Sequence, residues 1–292
     1  MVVRVVRLLL VPALLAVATA SAARSAAAPP GLRLALLPCS NIETTFKKFH
    51  PLLSYLKEQT GLVVTIAVPA DLAEFESLTK NGNIDFALQD PHTYLQLLKY
   101  FDASSLVQAV ALNGTMEQSG VVVVRRDSRI AALPDLRGKI VMFGPRTSTP
   151  KWVAGRMLFE SKGVSVDRDL QTLNGGCCED IAFAVVVKSV DAGVICDHFL
   201  SQHAVRQKEL GVQPESLQIL GRTPAFPTRI FAARRSVPPA SVRAVTDALL
   251  RLDSKNAEHA AILTSAELGG FKRTTESAYL AEVARSEPQG VK

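Results

Sequence analysis

Two kinds of side chain in this sequence are spaced so that they could hold a ligand: a run of hydroxyls, Thr147-Ser148-Thr149, and four cysteines, Cys39, Cys177, Cys178 and Cys196. The hydroxyls sit in PRTSTPKW, where Thr149 can cap a helix whose first helical position is Pro150. Thr147, Ser148 and the first-turn amides would then face one point, and hydroxyls beside a helix N-terminus make an anion site. An ordinary capped helix uses the same residues, so this loop alone leaves both readings open. The stretch NGGCCED puts Cys177 and Cys178 at the start of a second helix, where a thiol's pKa falls and thiolates favour soft, thiophilic species. A structural disulfide, most simply Cys196 with Cys177 or Cys178, and inert burial are the competing readings.

These residues need a scaffold, and the chain supplies an alternation of apolar runs and amphipathic stretches, the signature of an α/β protein. LRLALLP leads into a helix whose apolar residues Phe46, Phe49, Leu53 and Leu56 recur at three- and four-residue steps until Gly61. LVVTIAV, a helix over residues 72–79, IDFALQ and a helix over 91–100 follow; GVVVVRR, KIVMFG, a helix over 150–162, the NGGCCED helix and VDAGVICD repeat the pattern. In open α/β sheets ligands bind outside the carboxyl ends of the strands. That rule draws in Cys39 and Ser40 after the first strand, with Ser40 and Glu43 fitting a capping box. It draws in Asp90, His92 and Tyr94 from DPHTY, where Asp90 is a cap and Pro91 the first helical residue, and Asp197 and His198 after VDAGVIC. Local capping and surface placement are the bland readings of each. Internal repeats, low-complexity tracts and long linkers are absent from the sequence.

Composition excludes more than it selects. The chain opens with MVVRVVRLLLVPALLAVATASAA: Arg4 and Arg7 form a basic region, residues 8–18 an apolar core, and small residues a cleavage site. Residues 1–23 are expected to be a cleaved secretory signal peptide, since the apolar core is far short of the roughly 20 residues a spanning helix needs. The protein is then expected in the periplasm, where cysteines can oxidise. The formal net charge of +6 falls by two when Arg4 and Arg7 leave, and with scattered basic residues and only 6% aromatics it gives no platform for nucleic acid. Catalysis also lacks a signature: GxSxG, HExxH, GxxxxGK[ST] and CxxC do not occur. Cys177 with His198 as nucleophile and base rests on no spacing rule. No enzymatic activity, cofactor or metal is expected.

The order LALLPCSN, HPLLSYLKEQTGLVV, GNIDFALQDPHTYLQ, VVVVRRDSRIAALPDLRGKIVMFGPRTSTP and NGGCCEDIAFAVVVKSVDAGVICD resembles the phosphonate- and phosphite-binding periplasmic proteins of the PhnD type over residues 31–235. The resemblance implies a two-lobed type II periplasmic binding protein fold with two crossover strands and one oxyanion held in the interlobe cleft. The lobes would be residues 31–118 with 223–292, and residues 121–221, moving as a hinge. It also implies that Thr147-Ser148-Thr149 is the oxyanion loop, that Tyr94 lines the cleft, and that a monomer serves an ABC importer of phosphonate, phosphite or phosphate. This sequence departs from that pattern at Pro150, which removes an amide donor, and at Cys177-Cys178, where the family has a histidine. The second departure suggests a different ligand and output: a thiophilic oxyanion such as arsenite, signalled to a sensor histidine kinase.

Overall fold

Helix α1 (Ile42–Thr60) shows how the apolar spacing is converted into structure. Asn41 caps it by accepting the Thr44 N–H at 2.8 Å, and Gly61 ends it in the left-handed conformation at φ 69°. Pro51 lies inside the helix, which costs about 3 kcal/mol. Phe49, Leu52, Leu53 and Leu56 are all buried, and at about 1.5–3 kcal/mol each their burial outweighs that cost. Phe46, read from its spacing as part of the same face, is exposed and lies against the His50 ring instead.

The computed structural model describes residues 31–37, 41–200 and 211–286. Cys39, Ser40 and the signal peptide at residues 1–23 lie outside the described residues. From Gly31 the chain is one compact unit holding two large sheets. The first is built from β1 (Leu32–Leu36), β2 (Val64–Ala67), β3 (Phe86–Gln89), β4 (Val107–Val110), β12 (Ile230–Ala233) and β13 (Gly270–Arg273), in the order β13-β4-β12-β3-β1-β2. β1 pairs parallel with β2 and β3, whereas β12 returns antiparallel against β3 and β4. One face is covered by α1 and the helices Pro239–Leu250 and Ala257–Ser265. The other is covered by α2 (Leu72–Lys80), α3 (Pro91–Leu97) and the helix Glu276–Ser286.

The second sheet contains β6 (Gly120–Arg125), β7 (Ile140–Phe143), β8 (Gln171–Asn174), β9 (Ala192–Cys196) and β10 (Leu217–Arg222), ordered β10-β6-β9-β7-β8. Val122, Val124 and Phe143 pack with Leu158 and Phe159 of α4 (Ala154–Ser161) on one side. Val121, Val123 and Ile195 pack with Ile181 and Val185 of α6 (Cys178–Val186), the helix after the one-turn α5 (Val166–Asp169), on the other. Two segments join the sheets, and they pair: β5 (Glu117–Gln118) lies antiparallel to β11 (Phe226–Pro227), Gln118 opposite Phe226. These are the two crossovers.

A glycine fixes the spacing at the crossover. A Cβ on Gly120 would stand 2.2 Å from the Pro150 carbonyl oxygen and 3.1 Å from the Thr223 methyl, so only glycine lets the hydroxyl loop lie this close to β6.

Candidate functional site

The carboxyl ends of β1 and β3 in one sheet and of β7, β8 and β9 in the other converge on a cavity of about 150 Å³. Leu36, Gln89 and Asp90 contribute from the first sheet; Thr147, Ser148, Cys178 and His198 contribute from the second. The strand ends therefore gather at this cavity, and both halves of the chain line it.

The hydroxyl loop is more committed than its sequence suggests. Ser148, not Thr149, is the cap: its hydroxyl accepts the Lys151 N–H at 3.4 Å, and Pro150 follows within the first turn. That turn, Thr149–Val153, is wound wide before α4 continues it. Thr149 is buried and spent on the first sheet's side. Its N–H donates to Asp90 Oδ2 at 2.9 Å, and its hydroxyl accepts the His92 backbone N–H at 3.2 Å. The Thr93 hydroxyl donates to the Thr147 carbonyl at 3.4 Å. Three hydrogen bonds thus tie the start of α3 to the hydroxyl loop. Burial pushes the Asp90 carboxyl up, against the pull of the Arg229 charge, the Thr149 amide, the Lys151 charge and the Ser148 hydroxyl.

Lys151 is a buried cation lining the cavity, its ammonium donating to the Gly176 carbonyl at 2.9 Å. Its stem crosses Gly144, where an added Cβ would stand 2.6 Å from the lysine's own Cβ. Opposite lies Lys48, which pairs with Glu267 at 2.7 Å. Burial works against its charge, but the Glu267 carboxylate prevails and raises its pKa. The lining thus carries Lys48, Lys151 and Arg229 against Asp90, Glu179 and Glu267. Beside them Gln89 is fully buried, and neither its amide nitrogen nor its oxygen has a partner among the described residues.

The thiols form the remaining wall. The Cys178 and Cys196 sulfurs are not joined in a disulfide, and neither is joined to Cys177. Cys178 Sγ accepts the Cys196 backbone N–H at 3.2 Å. The Cys196 thiol also donates to it, which brings Cys178 down to about 6 against burial, helped by the Lys151 and His198 charges. Cys196 is pushed up in turn by that hydrogen bond, by burial and by the Cys178 charge. Both line the cavity. Cys177 is buried at the cap of α6, its N–H bonded to Asp180 Oδ2 at 3.1 Å, and does not line it.

The family of ABC transporter phosphonate periplasmic substrate-binding proteins matches residues 34–279. The chain belongs to that family. The fold agrees: a binding protein component of an ABC phosphonate transporter from Pseudomonas aeruginosa superposes with TM-score 0.75 at 19% identity, over 86% of this chain and 84% of the other. PhnD1 from Prochlorococcus marinus, solved in complex with methylphosphonate, gives TM-score 0.71 at 18% identity, over 87% of this chain and 97% of that one. At these identities the likeness establishes the type II periplasmic binding protein fold. Among curated proteins, the tetrathionate sensor histidine kinase TtrS of Salmonella typhimurium is 24% identical over 231 residues. That match covers 74% of this chain, which spans 38% of the kinase's length. No helix among the described residues is long and apolar enough to cross a membrane.

Within this periplasmic binding protein, Asp90, Thr147, Ser148, Cys178 and His198 are brought together and Tyr94 is not. Tyr94 is fully buried against Phe101 and Tyr279, and its hydroxyl donates to Glu276 Oε2 at 2.9 Å. It belongs to the core beneath α3, because Pro91, Tyr94 and Leu97 share the helix face that meets the sheet. The His92 side chain meets Gln96 at 3.1 Å, away from the lining. Asp197 turns to Arg222 at 2.7 Å and to His198 at 3.7 Å; despite burial, the His198 hydrogen bond and these two charges hold its carboxyl low. The sequence reading missed Lys48, Gln89, Gln118, Lys151, Glu179, Arg229 and Glu267. Gln89 and Glu179 adjoin the candidates Asp90 and Cys178, and Lys151 lies two residues after Thr149, so the strand-end rule can reach all three. Lys48 and Glu267 stand 219 positions apart and carry no local signal.

Proposed function

We propose that this chain captures a small oxyanion of the phosphonate, phosphite or phosphate type between its two sheets and delivers it to an ABC importer. The observation that carries this reading is the cavity itself. It is lined by the buried Lys151, by Arg229 and by the Ser148 hydroxyl, and it holds a Gln89 amide with no partner among the described residues. Buried polar groups are ordinarily satisfied, and a ligand with several oxygens would satisfy this one. At about 30 Å³ for each water's share of liquid, a cavity of about 150 Å³ suits a solute of a few heavy atoms. Closure would be a hinge at the paired crossovers, between residues 31–118 with 223–292 and residues 121–221. Periplasmic delivery would follow removal of residues 1–23.

A thermal-shift series with phosphate, phosphite, methylphosphonate and sulfate tests it. A ligand at a hundred times its dissociation constant adds about 2.7 kcal/mol, so a phosphorus oxyanion should raise the midpoint by several degrees. No response to any of them at millimolar concentration would overturn the reading.

A second reading is favoured by one feature, the Cys178–Cys196 thiol pair on the cavity wall. A thiolate beside a thiol suits a thiophilic oxyanion such as arsenite, and the kinship with a sensor kinase suits docking on a histidine kinase in place of an importer. Adding arsenite to the series separates the two. Stabilisation by arsenite that Cys178→Ser abolishes supports the second reading; stabilisation by a phosphorus oxyanion that survives Cys178→Ser supports the first.

A further inference from the structure

Asp90 follows β3 and occupies the cap position of α3, yet its carboxylate makes no capping bond to that helix. It crosses to the other sheet instead, where Oδ2 takes the Thr149 N–H at 2.9 Å. The carboxylate also lines the cavity. A fixed acidic group therefore sits on the loop that offers hydrogen bonds to an oxyanion. Its sequence neighbour Gln89 is fully buried, lines the same cavity and has both amide atoms without a partner among the described residues. Any ligand held by this lining must meet a carboxylate.

Two anions meet favourably at short range only with a proton between them, since an unpaired acceptor facing another acceptor is repulsive. We propose that Asp90 is a specificity-determining residue: the cavity takes an oxyanion together with one proton, shared in a hydrogen bond between Asp90 and the ligand. It rejects an oxyanion of similar size that brings no proton. The inference rests on the oxyanion reading given above and names the ligand class within it. Hydrogen-phosphonate, hydrogen-phosphite and hydrogen-phosphate ions qualify; sulfate does not. Arg229 before β12 and Lys151 at the start of the α4 segment face Asp90 as cations, and Tyr279 of the C-terminal helix and Cys196 of β9 face it as acids. Around the rest of the cavity stand Lys48 with Glu267, Glu179, Cys178 and His198. The two cations keep the site attractive to an anion, and Asp90 sets how many protons must come with it.

Calorimetric titration of methylphosphonate and sulfate into the wild-type chain and into Asp90→Asn tests this, with Asp90→Ala as a second variant and thermal melting to confirm that each folds. At neutral pH the wild type should prefer methylphosphonate by about a hundredfold, a discrimination within reach of one unpaired buried group. Its affinity should fall as the ligand loses its second proton at alkaline pH. In Asp90→Asn the amide can donate, so sulfate binding should rise at least tenfold and the preference shrink accordingly. Equal wild-type affinities for the two anions would overturn the inference and leave the oxyanion reading standing. So would an unchanged preference in both variants. No binding of either anion to any of the three proteins would overturn both.

Discussion

Two helix starts in the second sheet's half open on the same cavity and carry opposite chemistry. The segment entering α4 presents Thr147, Ser148 and Thr149, and two of its groups are bonded across to Asp90 and His92. The start of α6 presents Cys178, bonded within its own half to Cys196. Both follow the carboxyl end of a parallel strand, β7 in one case and β8 in the other. The same topological position therefore supplies hard oxygen and nitrogen donors at one end of the cavity and soft sulfur at the other. Topology places the site; side-chain identity decides what each end can hold.

The sharpest test of the contrast is titration of the soft end. The hydrogen bond from Cys196 holds Cys178 below the ordinary thiol range, so its alkylation by iodoacetamide should reach half its maximal rate at a pH clearly below the usual thiol value of about 8.5. A depressed thiol stabilises the fold above its unfolded pKa, and that contribution disappears as pH falls through the folded value. Cys178→Ser should therefore flatten part of the loss of melting temperature between pH 9 and pH 6. A wild-type alkylation midpoint near 9 would erase the distinction between the two ends.

Next in size is Gln89→Leu. An unsatisfied buried amide exchanged for an apolar group of similar volume is neutral or stabilising, so the ligand-free melting temperature should hold or rise. Affinity for a phosphorus oxyanion should drop about tenfold, the value of one hydrogen bond to a charged group. A fall in ligand-free stability would mean that the amide is already satisfied within the protein.

Thr149→Ala removes the hydroxyl that accepts the His92 N–H and keeps the amide that serves Asp90. About 1 kcal/mol of coupling between the two halves should be lost, read as a fivefold weaker ligand affinity. Ser148→Ala, which removes a hydroxyl from the lining itself, should cost more. Equal losses would place both hydroxyls on the ligand.

The smallest effect on binding is expected from Tyr94→Phe. It deletes the hydrogen bond to Glu276 in the core and should lower stability by about 1–2 kcal/mol, with affinity unchanged. A marked loss of affinity would return Tyr94 to the cleft.

The α/β alternation was legible because the strands are continuous apolar runs: Val121, Val122, Val123 and Val124 are all fully buried. β8 escaped because Gln171–Asn174 is exposed throughout at the sheet's edge and shows no alternation. The lining of the candidate cavity was legible in outline through strand ends, which single out Asp90, Ser148 and Cys178. Direction was harder. Tyr94 lies three residues after Pro91 and three before Leu97, and that spacing does not say which face of α3 meets the core. The cap of the hydroxyl loop was misassigned by one residue because Ser148 and Thr149 are both good caps and only the wide turn of Thr149–Val153 separates them. The ion pair of Lys48 with Glu267 joins α1 to the loop after the helix Ala257–Ser265, a contact made by tertiary packing alone.

The measurement closest to the central claim, that the cavity between the sheets is where a small oxyanion is held, is a methylphosphonate titration of the wild type and of Lys151→Met. Methionine keeps much of the stem that lies over Gly144 and removes the buried ammonium. One-to-one binding in the wild type, weakened at least tenfold in a variant that still melts cooperatively, is the expected result. Equal affinity in the two proteins would contradict it and move the ligand elsewhere.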